Sequence, residues 1–385
     1  MEGEQDSGRE EASESITAVI PFLERDGENS DRYNEDVALE NAGRALEEAE
    51  SGTVDELLFI DGSDPEGELS RELREIAGSS GIARYRNESS PGFQGEVRQE
   101  TGVEPGQLPP GKGSALFQAS AVAGGDSLVF LDSDVTTTVD DRVDESIATY
   151  MRDLASAIDG DTMFAKGDLN RYDSFEVDGE EGQMYGGRVT RATRALFDLY
   201  SRAEMDTEGI ESLQQFGYPL SGEFAVDREL FLDMETWPGY GLEMGMLVQV
   251  VDRLDPESIE NVDLGYHSHI SHDSDGAGEI ARDVFGALKQ SMERYWGVDA
   301  ERPLGDTTVW RDADWEEPVD RFLDELERSM AKVYREELRD GDIEPGVYWP
   351  AETVTRLMVE GEAGSQPINA GYVDSGTPQV VPSED

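Results

Sequence analysis

The sequence predicts an α/β protein whose mainly parallel sheet is flanked by helices. Short apolar segments, typical of buried strands, alternate with longer segments in which Ala and Leu recur at helical spacing. Strands that alternate with helices along a chain form parallel sheets covered by helices. In addition, acidic residues directly follow two of the apolar segments, at the sheet edge where such folds bind their ligands.

The predicted elements run from residue 15 to residue 338. SITAVIPFL and ELLFID are continuous apolar runs that predict buried strands, whereas GLEMGMLVQVVDRL is apolar almost throughout and predicts a buried helix. Strands are predicted at 15–23, 56–61, 127–135, 162–169 and 260–269. Helices are predicted at 38–50, 68–78, 114–124, 191–204, 241–254, 279–296 and 318–338.

Composition divides the chain into four regions. Residues 1–14 are acidic and lack an apolar run, which predicts a disordered tail. Residues 15–300 form the main domain and 301–356 a C-terminal helical extension. Residues 357–385 are acidic and rich in Gly, Pro and Ser, which predicts a flexible tail.

The charge balance is strongly acidic, with 87 acidic against 31 basic residues and a formal net charge of -56. Hydrophobic residues make up 37% of the chain and occur in regular segments, which favours a folded protein adapted to concentrated salt over disorder. A mimic of nucleic acid is the weaker alternative. Because no basic stripe offsets the repulsion, the chain is not expected to bind nucleic acid.

Targeting and redox features point to the cytoplasm. The chain has no cysteine, which excludes disulfides and thiolate metal sites. The N-terminal MEGEQDSGREEASES has no apolar core and is no signal peptide, and no apolar run approaches the roughly 18 residues of a membrane span. We therefore expect a cytoplasmic protein that does not associate with membranes.

Two acidic residues and three histidines are candidate metal ligands. Asp132 and Asp134 follow the apolar run SLVFL, and two carboxylates at a strand end suit Mg²⁺ or Mn²⁺. The alternative is a solvated acidic turn. All three histidines of the chain, His267, His269 and His272, lie within six positions, so that one of them is expected to complete the cation's ligand shell. The alternative is a hydrogen-bonded turn histidine, and the spacing fits no established zinc motif.

Two segments are candidate anion sites. Lys112, one of only four lysines, stands between two glycines just before a predicted helix, where backbone N–H groups and an ammonium suit an anion. Arg188, Arg191 and Arg194 are spaced by three and follow Gly-Gly, which suits phosphate or carboxylate. The alternatives are a flexible turn with an exposed lysine, and arginines that pair with surface acids.

Two lone acids, Glu223 and Glu243, lie in apolar or glycine-rich settings, where a buried carboxylate is costly unless it is paired or functional. Either could orient a sugar hydroxyl, and helix capping is the alternative for Glu243. Two anion sites, a divalent cation and carboxylates at the sheet edge together predict a nucleotide-sugar transferase, in which the metal neutralises the leaving diphosphate.

A series of motifs resembles a known family. PGKG (110–113), DSD (132–134), GGRVT (186–190), PLSGEFA (219–225), PGYGLEMGMLV (238–248) and NVDLGYHSH (261–269) occur in the order found in glucosyl-3-phosphoglycerate synthases. The similarity covers roughly residues 15–296. It implies a retaining glycosyltransferase of the GT-A fold, Mg²⁺ or Mn²⁺ as cofactor, a homodimer, and transfer of glucose from UDP-glucose to the 2-hydroxyl of 3-phosphoglycerate. The product would be a compatible-solute precursor, which fits a salt-adapted cell.

The resemblance also implies roles for single residues. Donor-binding residues would be Pro21, Asp61, Lys112, Asp132 and Tyr240. The acceptor would be held by Gly187, Arg188 and Thr190, the metal by Asp134 and His269, and Glu243 and His267 would be catalytic.

The chain departs from the family at three places. His267 stands where the family has an arginine. VIPFLERDGENSDRYNED (19–36) carries extra residues where relatives have a shorter acidic turn, and residues 84–109 diverge and are expected to form a mobile loop. His272 matches no family role. Alternatives are a transferase with a GDP-sugar donor or another acceptor, and a non-catalytic sugar-nucleotide-binding protein.

Overall fold

The fold is known here from a computed structural model. It describes residues 14–22, 35–135, 147–158, 160–177, 180–185, 207–267 and 274–298, together with single helical positions between 189 and 201. The predicted tails and the C-terminal helical extension lie outside these residues, and the boundaries of the four regions stay predictions.

Eight strands and nine helices account for most of the described chain, without the short 3₁₀ and π turns. The strands are β1 (Ile16–Phe22), β2 (Glu56–Asp61), β3 (Ala83–Asn87), β4 (Ser127–Phe130), β5 (Phe164–Val177), β6 (Glu180–Tyr185), β7 (Phe224–Asp227) and β8 (Ile259–His267). The helices are α1 (Glu35–Glu50), α2 (Glu68–Gly78), α3 (Pro91–Thr101), α4 (Lys112–Val122), α5 (Ile147–Ala157), α6 (Thr207–Gln214), α7 (Arg228–Asp233), α8 (Leu242–Arg253) and α9 (Ser274–Ser291).

The sheet confirms the predicted α/β architecture. Its strand order is β3-β2-β1-β4-β7-β5, with β8 pairing β5 and β6 pairing the far half of β5. The pairs β1–β2, β1–β4, β2–β3 and β5–β8 are parallel, whereas β7 runs antiparallel to both of its neighbours. The parallel strands β1, β2 and β4 bring their carboxyl ends to one edge, where ligands of such sheets bind.

Helices cover both faces of the sheet, because the central strands are apolar on both sides. In β2, Leu58 and Ile60 belong to one hydrophobic cluster, and Leu57 and Phe59 belong to the cluster on the opposite face. The first cluster includes residues of α3, α4, α8 and α9, and the second includes residues of α1, α2 and α5. Continuous apolar runs are typical of strands buried on both faces.

The expectation of a mobile loop over 84–109 was wrong. This segment contains most of the edge strand β3 and all of α3. The sequence of β3, ARYRN, is polar because an edge strand is exposed on one side. Ser90 caps α3, since its hydroxyl accepts the Phe93 N–H at 3.3 Å, and Pro91 occupies the first turn, where its missing N–H costs nothing.

Other predicted boundaries also changed. The strand predicted at 127–135 ends at Phe130, and the one predicted at 162–169 extends to Val177 because it pairs with β6. The helix predicted at 279–296 begins at Ser274 and ends in a π turn, Met292–Trp296. The described positions within 191–204 are helical, as predicted.

Candidate active site

The centre of the candidate site is a three-residue ion cluster. Lys112 Nζ lies 2.6 Å from Asp132 Oδ1 and 3.0 Å from Glu243 Oε1. Lys112 begins α4, Asp132 follows β4, and Glu243 lies in the first turn of α8. Residues 131 positions apart in the chain therefore meet at the carboxyl edge of the sheet.

The start of α4 is held against the turn before α8. Gly111 has a φ of +144°, a backbone conformation that L side chains rarely adopt. The Gly113 N–H donates to the Pro238 carbonyl at 2.9 Å, and a Cβ at Gly113 would run into the Trp237 carbonyl. These glycines allow the PGKG segment to approach residues 237–239 closely enough for Lys112 to reach Glu243.

The electrostatics keep Lys112 charged. Burial opposes the ammonium, but the carboxylates of Asp132, Glu243 and Glu223 outweigh it and raise the pKa of Lys112 above its usual range. The cluster therefore presents a permanent cation held between two carboxylates, which is suited to contact an anionic group of a ligand.

A second lysine and a third carboxylate lie close to this cluster. Lys166 in β5 is 1% exposed and donates to the carbonyl and, at 3.2 Å, to the hydroxyl of Ser221. Glu223 is 2% exposed. Burial and the nearby Asp132 raise the pKa of Glu223 to about 7, although Lys112 and Lys166 oppose the shift. Burial lowers the pKa of Lys166 to about 8, against the pull of Glu243 and Glu223.

The end of β2 forms a separate polar network around Asp61, which is fully buried. Its carboxylate accepts hydrogen bonds from the Ser63 N–H at 2.9 Å, from Asn87 Nδ2 at 3.2 Å, and from the hydroxyls of Ser70 and Tyr85. One of these donors meets Oδ1 and three converge on Oδ2, and the Ser70 hydroxyl can also donate to the Asp64 carbonyl at 2.7 Å. Asp61 thus orders the ends of β2 and β3, and its predicted contact with a donor nucleotide stays a prediction.

Glu88 lies beside this network, because its backbone N–H donates to the Asp61 carbonyl at 2.9 Å. Burial and the charge of Asp61 raise the pKa of Glu88 to about 7. Glu88 is not among the residues predicted from the sequence, because it stands among polar residues without a distinguishing motif. Lys166 is not among them either, although the rarity of lysine in this chain is a signal that points to it.

The candidate metal site is only partly described. Asp134 is half-buried, four residues beyond the end of β4, and Asp132 is engaged by Lys112. The oxygen donors fit a hard divalent cation. His269 and His272 lie outside the described residues, and of His267 the structure gives only the backbone, paired with Arg171 at the end of β8. Within the described part of the chain, no three candidate ligands are arranged so that they could hold a metal ion.

The predicted acceptor residues are likewise only partly described. Gly187 and Arg188 lie outside the described residues, whereas Thr190 is buried. Arg194 is exposed and donates to the Gly217 carbonyl at 2.8 Å. Tyr240, predicted to contact the donor, is 37% exposed in the turn before α8, and Pro21 lies near the end of β1, paired with Ile60.

None of the described helices is both long and apolar enough to cross a bilayer.

Known proteins with similar sequences share one description. Glucosyl-3-phosphoglycerate synthase of Mycobacterium tuberculosis is 28% identical over 277 residues, which are 72% of this chain and 73% of that protein. The synthase of Petrotoga mobilis is 26% identical over 204 residues, 52% of this chain and 56% of that protein. No protein-family model matches the chain.

Solved structures agree on the fold. The M. tuberculosis glucosyl-3-phosphoglycerate synthase in complex with Mn²⁺, UDP-glucose and phosphoglyceric acid matches with a TM-score of 0.51 and 25% identity, covering 72% of this chain and 79% of that one. The mannosyl-3-phosphoglycerate synthase of Rubrobacter xylanophilus matches with a TM-score of 0.52 and 21% identity, covering 74% and 76%.

The chain is a glycosyltransferase related to the glucosyl-3-phosphoglycerate synthases. The alternative of a non-catalytic binding protein is therefore set aside. The roles of the single residues remain those predicted from the motifs.

Proposed function

We propose that this glycosyltransferase transfers glucose from UDP-glucose to the 2-hydroxyl of 3-phosphoglycerate, with retention at the anomeric carbon. The observation that carries the proposal is the Lys112–Asp132–Glu243 cluster at the carboxyl edge of the sheet, built from three of the motifs by which the chain resembles the synthases. The complex of the M. tuberculosis relative with Mn²⁺, UDP-glucose and phosphoglyceric acid supports this choice of substrates.

In this proposal each part of the cluster has one role. The Lys112 ammonium contacts the donor, and Asp132 keeps that ammonium in place. Glu243 is buried and bonded to Lys112, so that its second oxygen can accept a hydrogen bond from a sugar or acceptor hydroxyl. Thr190, with Gly187 and Arg188, holds the acceptor phosphate, and Tyr240 borders the sugar. Pro21 and Asp61 belong to the uridine side.

Mg²⁺ or Mn²⁺ would be held by Asp134 and His269 and would neutralise the charge that develops on the leaving diphosphate. His267, at the end of β8, would supply the charge that an arginine gives in relatives, and only its protonated form can do so. The acceptor hydroxyl attacks from the face that the leaving group occupies, while the bond between the anomeric carbon and the diphosphate breaks. The departing phosphate oxygen takes the hydroxyl proton, and the product keeps its anomeric configuration.

The test is a coupled assay of UDP release in molar KCl. UDP-glucose and 3-phosphoglycerate are supplied together and singly, with and without Mg²⁺ or Mn²⁺. We expect release that needs both the acceptor and the metal, and an α-configured product in the proton NMR spectrum. A β-configured product would refute retention. UDP release at the same rate with and without 3-phosphoglycerate would refute the proposed acceptor.

A second candidate is transfer from a GDP-sugar to the same acceptor. It is favoured by the similarity to a mannosyl-3-phosphoglycerate synthase, whose fold matches this chain as well as those of the glucosyl enzymes do. Parallel assays with GDP-mannose and GDP-glucose decide between the donors. Turnover with a GDP-sugar but none with UDP-glucose would replace the donor and keep the acceptor.

We further propose a cytoplasmic homodimer, on the strength of the motif resemblance. Light scattering after gel filtration in molar KCl measures the assembly directly. A mass close to the 42.4 kDa of one chain would refute the dimer.

A further inference from the structure

The buried lysine of β5 is costly to the fold. Lys166 lies in a central strand, paired with Phe224 on β7 and with Asn261 on β8, and its side chain is fully enclosed. An ammonium withdrawn from water carries a large desolvation penalty. Methionine has a similar length and would fill the same space without that penalty, so packing alone does not explain a lysine here.

The ammonium of Lys166 is bonded to one residue, Ser221, through both its carbonyl and its hydroxyl. Ser221 in turn donates to the Gly167 or Glu223 carbonyl, at 2.8 and 3.1 Å, and the Gly167 N–H donates to the Glu223 carbonyl at 2.9 Å. These bonds hold residues 221–223, which we call the SGE segment, against β5. The Lys166 ammonium is therefore one of the groups that hold the chain in place just before β7.

The SGE segment borders the ion cluster directly. A Cβ added at Gly222 would meet both Asp132 Oδ2 and Lys112 Nζ, so the backbone of Gly222 lies against the two charged groups. Any shift of the SGE segment would therefore change the contact between the Gly222 backbone and these two charged groups. A series of contacts thus connects Lys166, through Ser221 and Gly222, to the Lys112–Asp132 ion pair.

Charge gives Lys166 a second effect on the same site. Asp132, Glu223 and Glu243 are three carboxylates grouped around Lys112, and Lys166 is the second cation among them. Two of the four lysines in the chain are thereby committed to this one cluster. Without Lys166, an anionic diphosphate would approach a more negative site.

We propose that Lys166 is a positioning residue for the donor. Through Ser221 it holds the backbone of Gly222 against the Lys112–Asp132 ion pair, and its charge offsets the carboxylates around it. It does not touch substrate and is not a catalytic residue. The inference rests on the proposed function, since it assigns the effect of Lys166 to the donor of the glycosyl transfer.

The test is Lys166→Met, which keeps the volume and removes the charge and the hydrogen bonds. Donor and acceptor are varied separately. We expect kcat/KM for UDP-glucose to fall by about tenfold to a hundredfold, as displacement of a binding group does, while KM for 3-phosphoglycerate stays within about twofold. The matched control is Lys289→Met, a partly buried lysine of α9 outside the site, which should match the wild type.

A double substitution separates charge from packing. Lys166→Met with Glu223→Gln removes the cation together with one of the carboxyl groups that it offsets, so the cluster carries less uncompensated negative charge than in Lys166→Met alone. We expect the pair to recover part of the donor kcat/KM lost in Lys166→Met alone. A merely structural lysine predicts no such recovery. Should Lys166→Met fail to fold, Ser221→Ala keeps the lysine, removes one acceptor, and should show a smaller loss confined to the donor.

Calorimetric titration of the protein with UDP, in the presence of Mn²⁺, measures donor binding without turnover. Weaker UDP binding by Lys166→Met, with Lys289→Met unchanged, would support the positioning role even if the wild type transferred no glucose, an outcome that would refute the proposed function alone. Unchanged UDP binding and donor kinetics in folded Lys166→Met, or equal losses toward donor and acceptor, would overturn the role of Lys166.

Discussion

Lys112 shows how a single residue can depend on distant parts of the chain. Its ammonium lies between Asp132 and Glu243, which the sequence places 20 positions after it in one case and 131 in the other. The cation separates two carboxylates that would otherwise face each other at short distance. Removing it affects the ligand and the protein at once, because a like-charge pair in a buried site is unfavourable.

We predict that Lys112→Met lowers kcat/KM by roughly a hundredfold to a thousandfold, comparable to removing one group that stabilises charge in a transition state. The measurement is UDP release with saturating acceptor, and circular dichroism confirms that the variant is folded. Lys289→Met again serves as the control. A folded Lys112→Met enzyme within threefold of wild-type activity would exclude Lys112 from the donor site.

Glu88 gives a prediction about pH. Its pKa is raised to about 7 in the folded protein, against an ordinary value near 4.5, so folding disfavours the ionised form. The penalty is absent below the ordinary pKa, grows as pH rises toward 7, and is complete above it. Glu88→Gln should therefore raise Tm at pH 8 and change it little near pH 4.5.

Glu75→Gln, on the exposed side of α2, removes the same unit of charge without the burial and is the matched control. Thermal unfolding of the three proteins across this pH range measures the effect. An equal rise of Tm in both variants would assign it to the reduced net charge of the chain, and not to the partly buried position of Glu88.

At the scale of elements, the site depends on how α4 packs against the turn before α8. Gly113 allows the contact, since its N–H bonds the Pro238 carbonyl and a side chain there would meet the Trp237 carbonyl. The same contact fixes the start of α4 and therefore Lys112. Gly113 therefore matters for the position of α4 and not for its helix propensity.

Gly113→Ala is accordingly predicted to destabilise the protein by about 1–3 kcal/mol, the usual cost of forcing atoms into a packed contact. It should also weaken donor binding. Gly95→Ala in α3, where an added Cβ meets nothing within 4 Å, should instead stabilise by about 0.5–1 kcal/mol because alanine is the better helix former. Denaturant unfolding compares the two, and Gly113→Ala with unchanged stability would contradict the packing argument.

At the scale of the whole molecule, the dominant property is the net charge of -56. So many like charges repel one another most strongly in the compact folded state. The Debye length falls from about 10 Å at 0.1 M salt to about 3 Å at 1 M, so concentrated salt removes most of this repulsion. Salt adaptation is thus a proposal that follows from charge alone.

Tm is predicted to rise steeply between 0.1 M and 2 M KCl, and activity to need the higher range. Sucrose is the control, because it favours compact states through exclusion from the protein surface without screening charge. A Tm that does not change with KCl, or one that rises equally in sucrose, would refute stabilisation by screening.

The sequence by itself determined the α/β class and the apolar segments that form the central strands. It also singled out Lys112, Asp132 and Glu243 as candidate site residues. Apolar runs record burial on both faces, and carboxylates or lysines in glycine-rich turns are costly enough to stand out. These signals are local, and each can be recognised from a few neighbouring residues.

Only the tertiary structure decided which of these residues meet, and it added two that were not among the predicted site residues. Lys166 lies in a strand like any other until the fold encloses it near three carboxylates, and Glu88 is an ordinary acid until the fold partly buries it beside Asp61. Strand β3 is too polar to be recognised as a strand, because its edge position and not its composition makes it one. Burial and pairing are properties of contacts between distant segments, and these contacts set the pKa of a side chain and the end of a strand.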